Sequence, residues 1–164
     1  MNRRIFILAT IGLTAFTAIQ FKSTHNKVSI KGNPNINKWN YDEEFWRERL
    51  SPAQFAILRE GATEPRYSSK LTNNTHVGTY FCIGCNLALF TSEMKFDSKT
   101  GWPSFSDHIK GHLETYTDFK SLIPSIAYRC AQCGGHHGHL IMDGPPPGGQ
   151  RWCNNGQVLS FEPA

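Results

Sequence analysis

Thr79-Tyr80-Phe81-Cys82-Ile83-Gly84-Cys85 and Ile126-Ala127-Tyr128-Arg129-Cys130-Ala131-Gln132-Cys133 share one pattern, an extended run that ends in a C-x-x-C knuckle. Two knuckles of equal spacing can present four thiolates to a single tetrahedral zinc ion, whose preference for sulfur and lack of redox chemistry suit a structural role. The 44 residues between Cys85 and Cys130 exceed the usual zinc-ribbon gap. The knuckles therefore belong to two separate hairpins, and the metal joins distant parts of the chain. Disulfides or a redox-active C-x-x-C are the competing readings. Two equal spacings favour the shared metal.

Outward from the knuckles the pattern stays short and extended: Leu87 to Phe90, Glu114 to Thr117, Ile126 to Arg129, Leu140-Ile141, Arg151-Trp152 and Val158 to Phe161. Gly, Pro, Asn and Asp separate these runs, as expected of strands joined by tight turns. The fourteen glycines and nine prolines are spread along the chain, which disfavours a helical bundle. A mainly β fold of small antiparallel sheets follows. One helix is marked before them: Ser51 as N-cap, Pro52 at the first helical position, Gln54 at the capping-box position and Gly61 as the stop.

The chain begins Met1-Asn2-Arg3-Arg4, followed by an apolar stretch from Ile5 to Ile19. This is the pattern of an export signal over residues 1–21, and the paired arginines resemble the twin-arginine type. Cleavage would release the protein to the periplasm; retention would leave it anchored and facing the same space. Residues 22–38 are polar and short of large apolar groups, which predicts a flexible tether, with one folded domain over 39–164.

Six of the seventeen Lys and Arg residues lie in the first 38 positions, where there is no Asp or Glu. From residue 39 onward eleven basic residues face thirteen acidic ones. A folded part that is slightly acidic argues against nucleic acid as a partner, because phosphate contacts need concentrated positive charge. A monomer is expected.

The fifth cysteine, Cys153, stands apart in Gln150-Arg151-Trp152-Cys153-Asn154-Asn155-Gly156. On an extended strand Arg151 and Cys153 share a face, so the guanidinium could stabilise a thiolate. Gly135-His136-His137-Gly138-His139 adds titrating side chains, with Asp143 four residues further on. These imidazoles could be extra metal ligands, yet four thiolates already complete a tetrahedral zinc. By spacing alone, either His136 or His139 could serve as a proton donor.

With these motifs the sequence resembles the B-type, R-stereospecific methionine sulfoxide reductases. The likeness runs from about Trp46 to Phe161 and includes Leu50 to Phe55, Gly61 to Pro65, both C-x-x-C pairs, Lys95 to Phe105, Gly135 to His139, Asp143-Gly144-Pro145 and Arg151 to Asn155. It implies two antiparallel sheets with short N-terminal helices, stapled by a structural zinc on Cys82, Cys85, Cys130 and Cys133. It also implies that Cys153 is the nucleophile and His139 the acid that protonates the sulfoxide oxygen. His136, Asp143, Arg151 and Asn155 would organise the centre, and Trp102 would pack against the substrate methyl group.

The implied reaction reduces methionine-R-sulfoxide, in proteins or peptides, to methionine and leaves Cys153 as a sulfenic acid, the reversible first stage of thiol oxidation. Many relatives carry a recycling cysteine immediately before the Gly-Trp of Gly101-Trp102-Pro103-Ser104-Phe105; this chain has Thr100. With four cysteines on zinc, a thioredoxin-like protein or another external thiol is the expected reductant. Two smaller departures are Trp152, where tyrosine is common, and Gly156, where serine is common; a changed rate or thiol ionisation is expected from them. A rival reading is a zinc-stapled binding module with Trp102 and Trp152 as its aromatic surface, and another is a C-x-x-C disulfide oxidoreductase.

Overall fold

The computed structural model describes residues 36–120 and 122–164. The export signal and nearly all of the tether expected from the sequence lie outside these residues. No helix among the described residues is long and apolar enough to cross a membrane.

Two short helices come first, α1 (Glu43–Arg49) and α2 (Pro52–Glu60). The signals in the sequence account for α2: Ser51 Oγ accepts from Gln54 N, the Gln54 side chain accepts from Ser51 N, and Gly61 ends the helix in the left-handed conformation. Asp42 caps α1 by accepting from Phe45 N. Nine strands follow: β1 (Gly78–Cys82), β2 (Ala88–Thr91), β3 (Lys95–Phe96), β4 (Ser104–Phe105), β5 (Leu113–Asp118), β6 (Ser125–Cys130), β7 (His136–Ile141), β8 (Arg151–Asn154) and β9 (Leu159–Pro163). They form a three-stranded sheet ordered β2-β1-β9 and a six-stranded sheet ordered β3-β4-β8-β7-β6-β5. The pairings are antiparallel throughout.

Period-two alternation sends one face of each sheet inward. Tyr80 and Phe90 from the smaller sheet meet Phe105 from the larger one, with Phe90 and Phe105 stacked at 4.0 Å and Tyr80 at 5.0 Å from Phe105. Tyr128 and Trp152 extend this aromatic layer, their centroids 5.0 Å apart. On β8 the inward residue Trp152 is only 4% exposed. It therefore anchors the strand while its neighbours Arg151 and Cys153 face the other way. Truncating such a side chain costs about 3–5 kcal/mol. Buried in the core, Trp152 is unavailable for the aromatic surface that the binding-module reading requires.

The knuckles tie the two layers together. Cys82 ends β1 in the smaller sheet and Cys130 ends β6 in the larger. Each helix lends one arginine to one knuckle: Arg49 Nε donates to Gly84 O at 2.7 Å, and Arg59 donates to Cys133 O at 2.9 Å. Two fixed cations thus lie beside a cluster of sulfurs.

Candidate active site and metal centre

The sulfurs of Cys82, Cys85, Cys130 and Cys133 are buried and lie within 4.8 Å of one another. Cys82 and Cys133 are 3.6 Å apart, and Cys85 and Cys130 are 3.5 Å apart. None of the four is in a disulfide. A tetrahedral ion with metal–sulfur bonds near 2.3 Å separates its ligands by about 3.8 Å. The donor set therefore fits one metal ion and not two disulfides.

Cys153 lies elsewhere, half-buried on the outward face of β8. It borders a cleft of about 500 Å³ whose walls include Gly61, Thr63, Trp102, His139 and Asn155. The ladder places His139 directly opposite Cys153 on one side and Ser104 opposite it on the other. Directly opposed residues of antiparallel strands point to the same face, so cysteine and imidazole share the cleft. The strands close around Gly138, where a β-carbon would come within 1.9 Å of the Cys153 carbonyl oxygen.

His136 and His139 are three residues apart, a spacing that puts side chains of a regular strand on opposite faces. A bulge between Tyr128 and Arg129 on the β6–β7 ladder resolves this: Tyr128 pairs with Gly138 and Arg129 pairs with His136. The extra residue is His137. His136 thereby joins His139, ring against ring at 5.4 Å, while His137 turns to the metal side with Nε2 3.3 Å from Cys82 Sγ.

The two imidazoles on the cleft side differ in environment. His136 is buried with Nδ1 2.8 Å from the Tyr116 hydroxyl, and burial, followed by the nearby His139 and His137, lowers its pKa to about 4. It is neutral at physiological pH. His139 reaches the cleft, and its Nε2 lies 3.1 Å from Asp118 Oδ2. Of the two, His139 lines the cleft beside Cys153 and His136 does not.

Arg151 meets Asp143 through two bonds, Nε to Oδ1 at 2.7 Å and a terminal nitrogen to Oδ2 at 2.8 Å. Another terminal nitrogen reaches Thr100 Oγ1 at 3.5 Å. Burial pushes the Cys153 thiol above its ordinary range; Arg151 opposes this, and Asp143 and Glu64 add to it. Desolvation thus outweighs the stabilisation of a thiolate expected from Arg151.

Asn155 acts as a clip. Its side chain accepts from Glu64 N at 2.9 Å and donates to His137 O at 2.9 Å. Trp102 lines the cleft with Nε1 donating to Glu64 O at 3.1 Å, and Arg66 lies 5.0 Å from its ring centre. The structure thus gathers Cys153, His139, Trp102 and Asn155 at the cleft. His136, Arg151 and Asp143 stand behind them.

Sequence reasoning assigned no role to Glu64, Tyr116 or Asp118. Glu64 is buried; its carboxylate accepts from Gly156 N at 2.7 Å and Gln157 N at 2.8 Å, which fixes the loop after Cys153. Its motif was visible, but its burial was not.

Residues 50–163 match the SelR domain. A protein of Agrobacterium fabrum named peptide methionine sulfoxide reductase MsrB is 43% identical over 132 residues, which cover 80% of this chain and 96% of that protein. A protein of Bradyrhizobium diazoefficiens with the same name is 44% identical over 122 residues, covering 74% and 88%. The mitochondrial methionine-R-sulfoxide reductase B3 of Mus musculus is 40% identical over 125 residues, covering 76% of this chain and 49% of its own length. A domain match over most of the chain, together with relatives this similar, means that the chain belongs to the SelR family, that of the B-type methionine sulfoxide reductases.

Proposed function

We propose that this chain is a peptide-methionine (R)-S-oxide reductase that repairs oxidised proteins. The observation that carries this reading is Cys153, set apart from the four-thiol cluster and opposite His139 on the wall of an open cleft. A sulfoxide sulfur is electrophilic, and attack by sulfur becomes feasible when the oxygen takes up a proton.

The balance is simple. Cys153 forms a bond to the substrate sulfur while its proton passes by way of His139 to the sulfoxide oxygen. The substrate S–O bond and the new sulfur–sulfur bond then break as the hydroxyl passes to the Cys153 sulfur, giving methionine and a sulfenic acid. The methionine sulfur is reduced by two electrons and the cysteine sulfur is oxidised by two. Two external thiols return Cys153 to the thiol form, releasing water and a disulfide. A thioredoxin-like protein or another external thiol supplies them, because the other four cysteines would be held by the metal and Thr100 offers no sulfur.

Cys82, Cys85, Cys130 and Cys133 would hold zinc, which supplies a fixed tetrahedral crosslink and no redox chemistry. The apolar stretch from Ile5 to Ile19 behind Arg3-Arg4 supports export, with the enzyme working in the periplasm, either free or anchored. A reporter fused after residue 38 and active only outside the cytoplasm would support export; one active only inside would exclude it.

The deciding assay presents the R and S sulfoxides of a dabsylated peptide methionine with dithiothreitol to the wild type and to Cys153→Ser. Turnover of the R epimer by the wild type alone is expected. Turnover of the S epimer only, or equal rates in Cys153→Ser, would overturn the assignment.

A further inference from the structure

The reaction above gives His139 two tasks, removing a proton from a thiol that burial makes reluctant to ionise and placing it on the sulfoxide oxygen. Both need an imidazole held in one orientation and one tautomer, because a ring free to turn and to exchange its hydrogen offers the wrong nitrogen part of the time. His139 belongs to β7, and its neighbour on that strand's cleft side, His136, is engaged with Tyr116.

The missing constraint comes from two strands away. On the β5–β6–β7 ladders Tyr116 stands opposite Ala127, and Ala127 stands opposite His139. Ala127 carries only a methyl group, so side chains of β5 pass over β6 and reach β7. Tyr116 uses this gap to meet His136, and Asp118, on the same face of β5, uses it to meet His139. Asp118 Oδ2 lies 3.1 Å from His139 Nε2, and Asp118 Oδ1 accepts from Lys120 N at 3.0 Å. That backbone bond, with His139 as partner, holds the carboxyl below the usual carboxylate range, so it is an anion and accepts only.

We propose that Asp118 is the positioning residue of this site, completing a Cys153–His139–Asp118 array in which the carboxylate accepts a hydrogen bond from His139 Nε2–H and leaves the other ring nitrogen for the thiol and the sulfoxide. The order of nucleophile, base and orienting carboxylate is one that recurs on unrelated folds. This inference rests on the reductase reading for its kinetics but not for its ring geometry.

Among the described residues, the charged and titratable groups near His139 include Asp118 and Tyr116 from β5, Arg129 from β6 against the Tyr116 ring, Lys120 from the hairpin after β5, His136 on its own strand, and Cys153 and Arg151 from β8. Lys120 also ties the hairpin to α2, its Nζ donating to Glu60 O and Gly61 O. Loss of Asp118 could therefore loosen the hairpin as well as the ring. Lys120→Ala separates these effects, because it releases the hairpin from α2 and keeps the carboxylate.

Nitrogen-15 spectra of histidine-labelled full-length protein, without substrate, read the tautomer directly. The wild type and Lys120→Ala should both show His139 with hydrogen on Nε2, and Asp118→Ala should show a mixture. In the peptide assay kcat for Asp118→Asn should fall about 100-fold, the low end of what a positioned acid–base group contributes, with KM close to the wild-type value and part of the rate restored in Asp118→Glu. A wild-type tautomer in Asp118→Ala, or a Lys120→Ala variant that reproduces both defects, would overturn the proposal. Should the wild type reduce no sulfoxide, the spectra still decide the role of Asp118 while the reductase reading fails separately.

Discussion

Cys153 and His139 are direct partners across the β7–β8 ladder, and Arg151 lies two residues from Cys153 on the same face. The thiol is thus caught between burial, which disfavours its anion, and a guanidinium that favours it. Replacing Arg151 by methionine removes the favourable partner and leaves the burial. The midpoint for iodoacetamide alkylation of Cys153 should then rise by about 1 pH unit. Asp143→Asn should shift it far less, because it removes a disfavouring charge and also frees Arg151 to move. An unchanged midpoint in Arg151→Met would sever the guanidinium from thiol activation.

Part of the protein's acid sensitivity should trace to His136. Its pKa is lowered by burial from an ordinary 6.5 to about 4, so the unfolded chain binds this proton more readily than the folded one. Stability from this group is complete above pH 6.5 and falls as the pH drops towards 4. The full loss is about 3 kcal/mol. Urea unfolding at pH 7 and at pH 5 should show His136→Gln losing less than the wild type between the two. Equal losses would assign the acid sensitivity to other groups.

The metal should hold the two sheets as one body, since its ligands end strands in each. Stripping it with a chelator should lower Tm by more than about 10 °C, because structural zinc contributes several kcal/mol. Native mass spectrometry should find one zinc per chain before stripping and none after. Before stripping, only Cys153 should be alkylated rapidly; afterwards all five cysteines should react. A chain that keeps its Tm without metal would show that the aromatic layer alone suffices.

Much of this was legible in the sequence. The capping box at Ser51 and Gln54, the C-x-x-C pairs and the shared face of Arg151 and Cys153 all rest on local spacing, which a chain carries openly. What stayed hidden depends on register. Three-residue spacing separates His136 from His139 on any regular strand, and only the bulge that accommodates His137 reunites them. Asp118 is 21 residues from His139, and their contact exists because β6 places a small residue, Ala127, between them. The sign of the Cys153 shift was hidden too, because desolvation depends on how closely the folded chain covers the thiol.

Gly156 shows how a departure seen in the sequence acquires a different meaning in the structure. A β-carbon there would lie 2.4 Å from Ser69 Cβ, 2.3 Å from Ser69 Oγ and 3.0 Å from Pro103 Cγ. The space beside the Cys153 loop is therefore filled by Ser69, whose hydroxyl accepts from Leu71 N at 3.1 Å. Gly156→Ala should overpack the site and cost about 1–3 kcal/mol in urea unfolding. Ser69→Gly removes the obstruction and, as a cap replaced by glycine, should cost only about a few tenths of a kcal/mol. The double variant should be more stable than Gly156→Ala alone, a non-additive result expected of residues in contact. Strict additivity of the two costs would mean that Ser69 does not occupy the room a side chain at 156 needs.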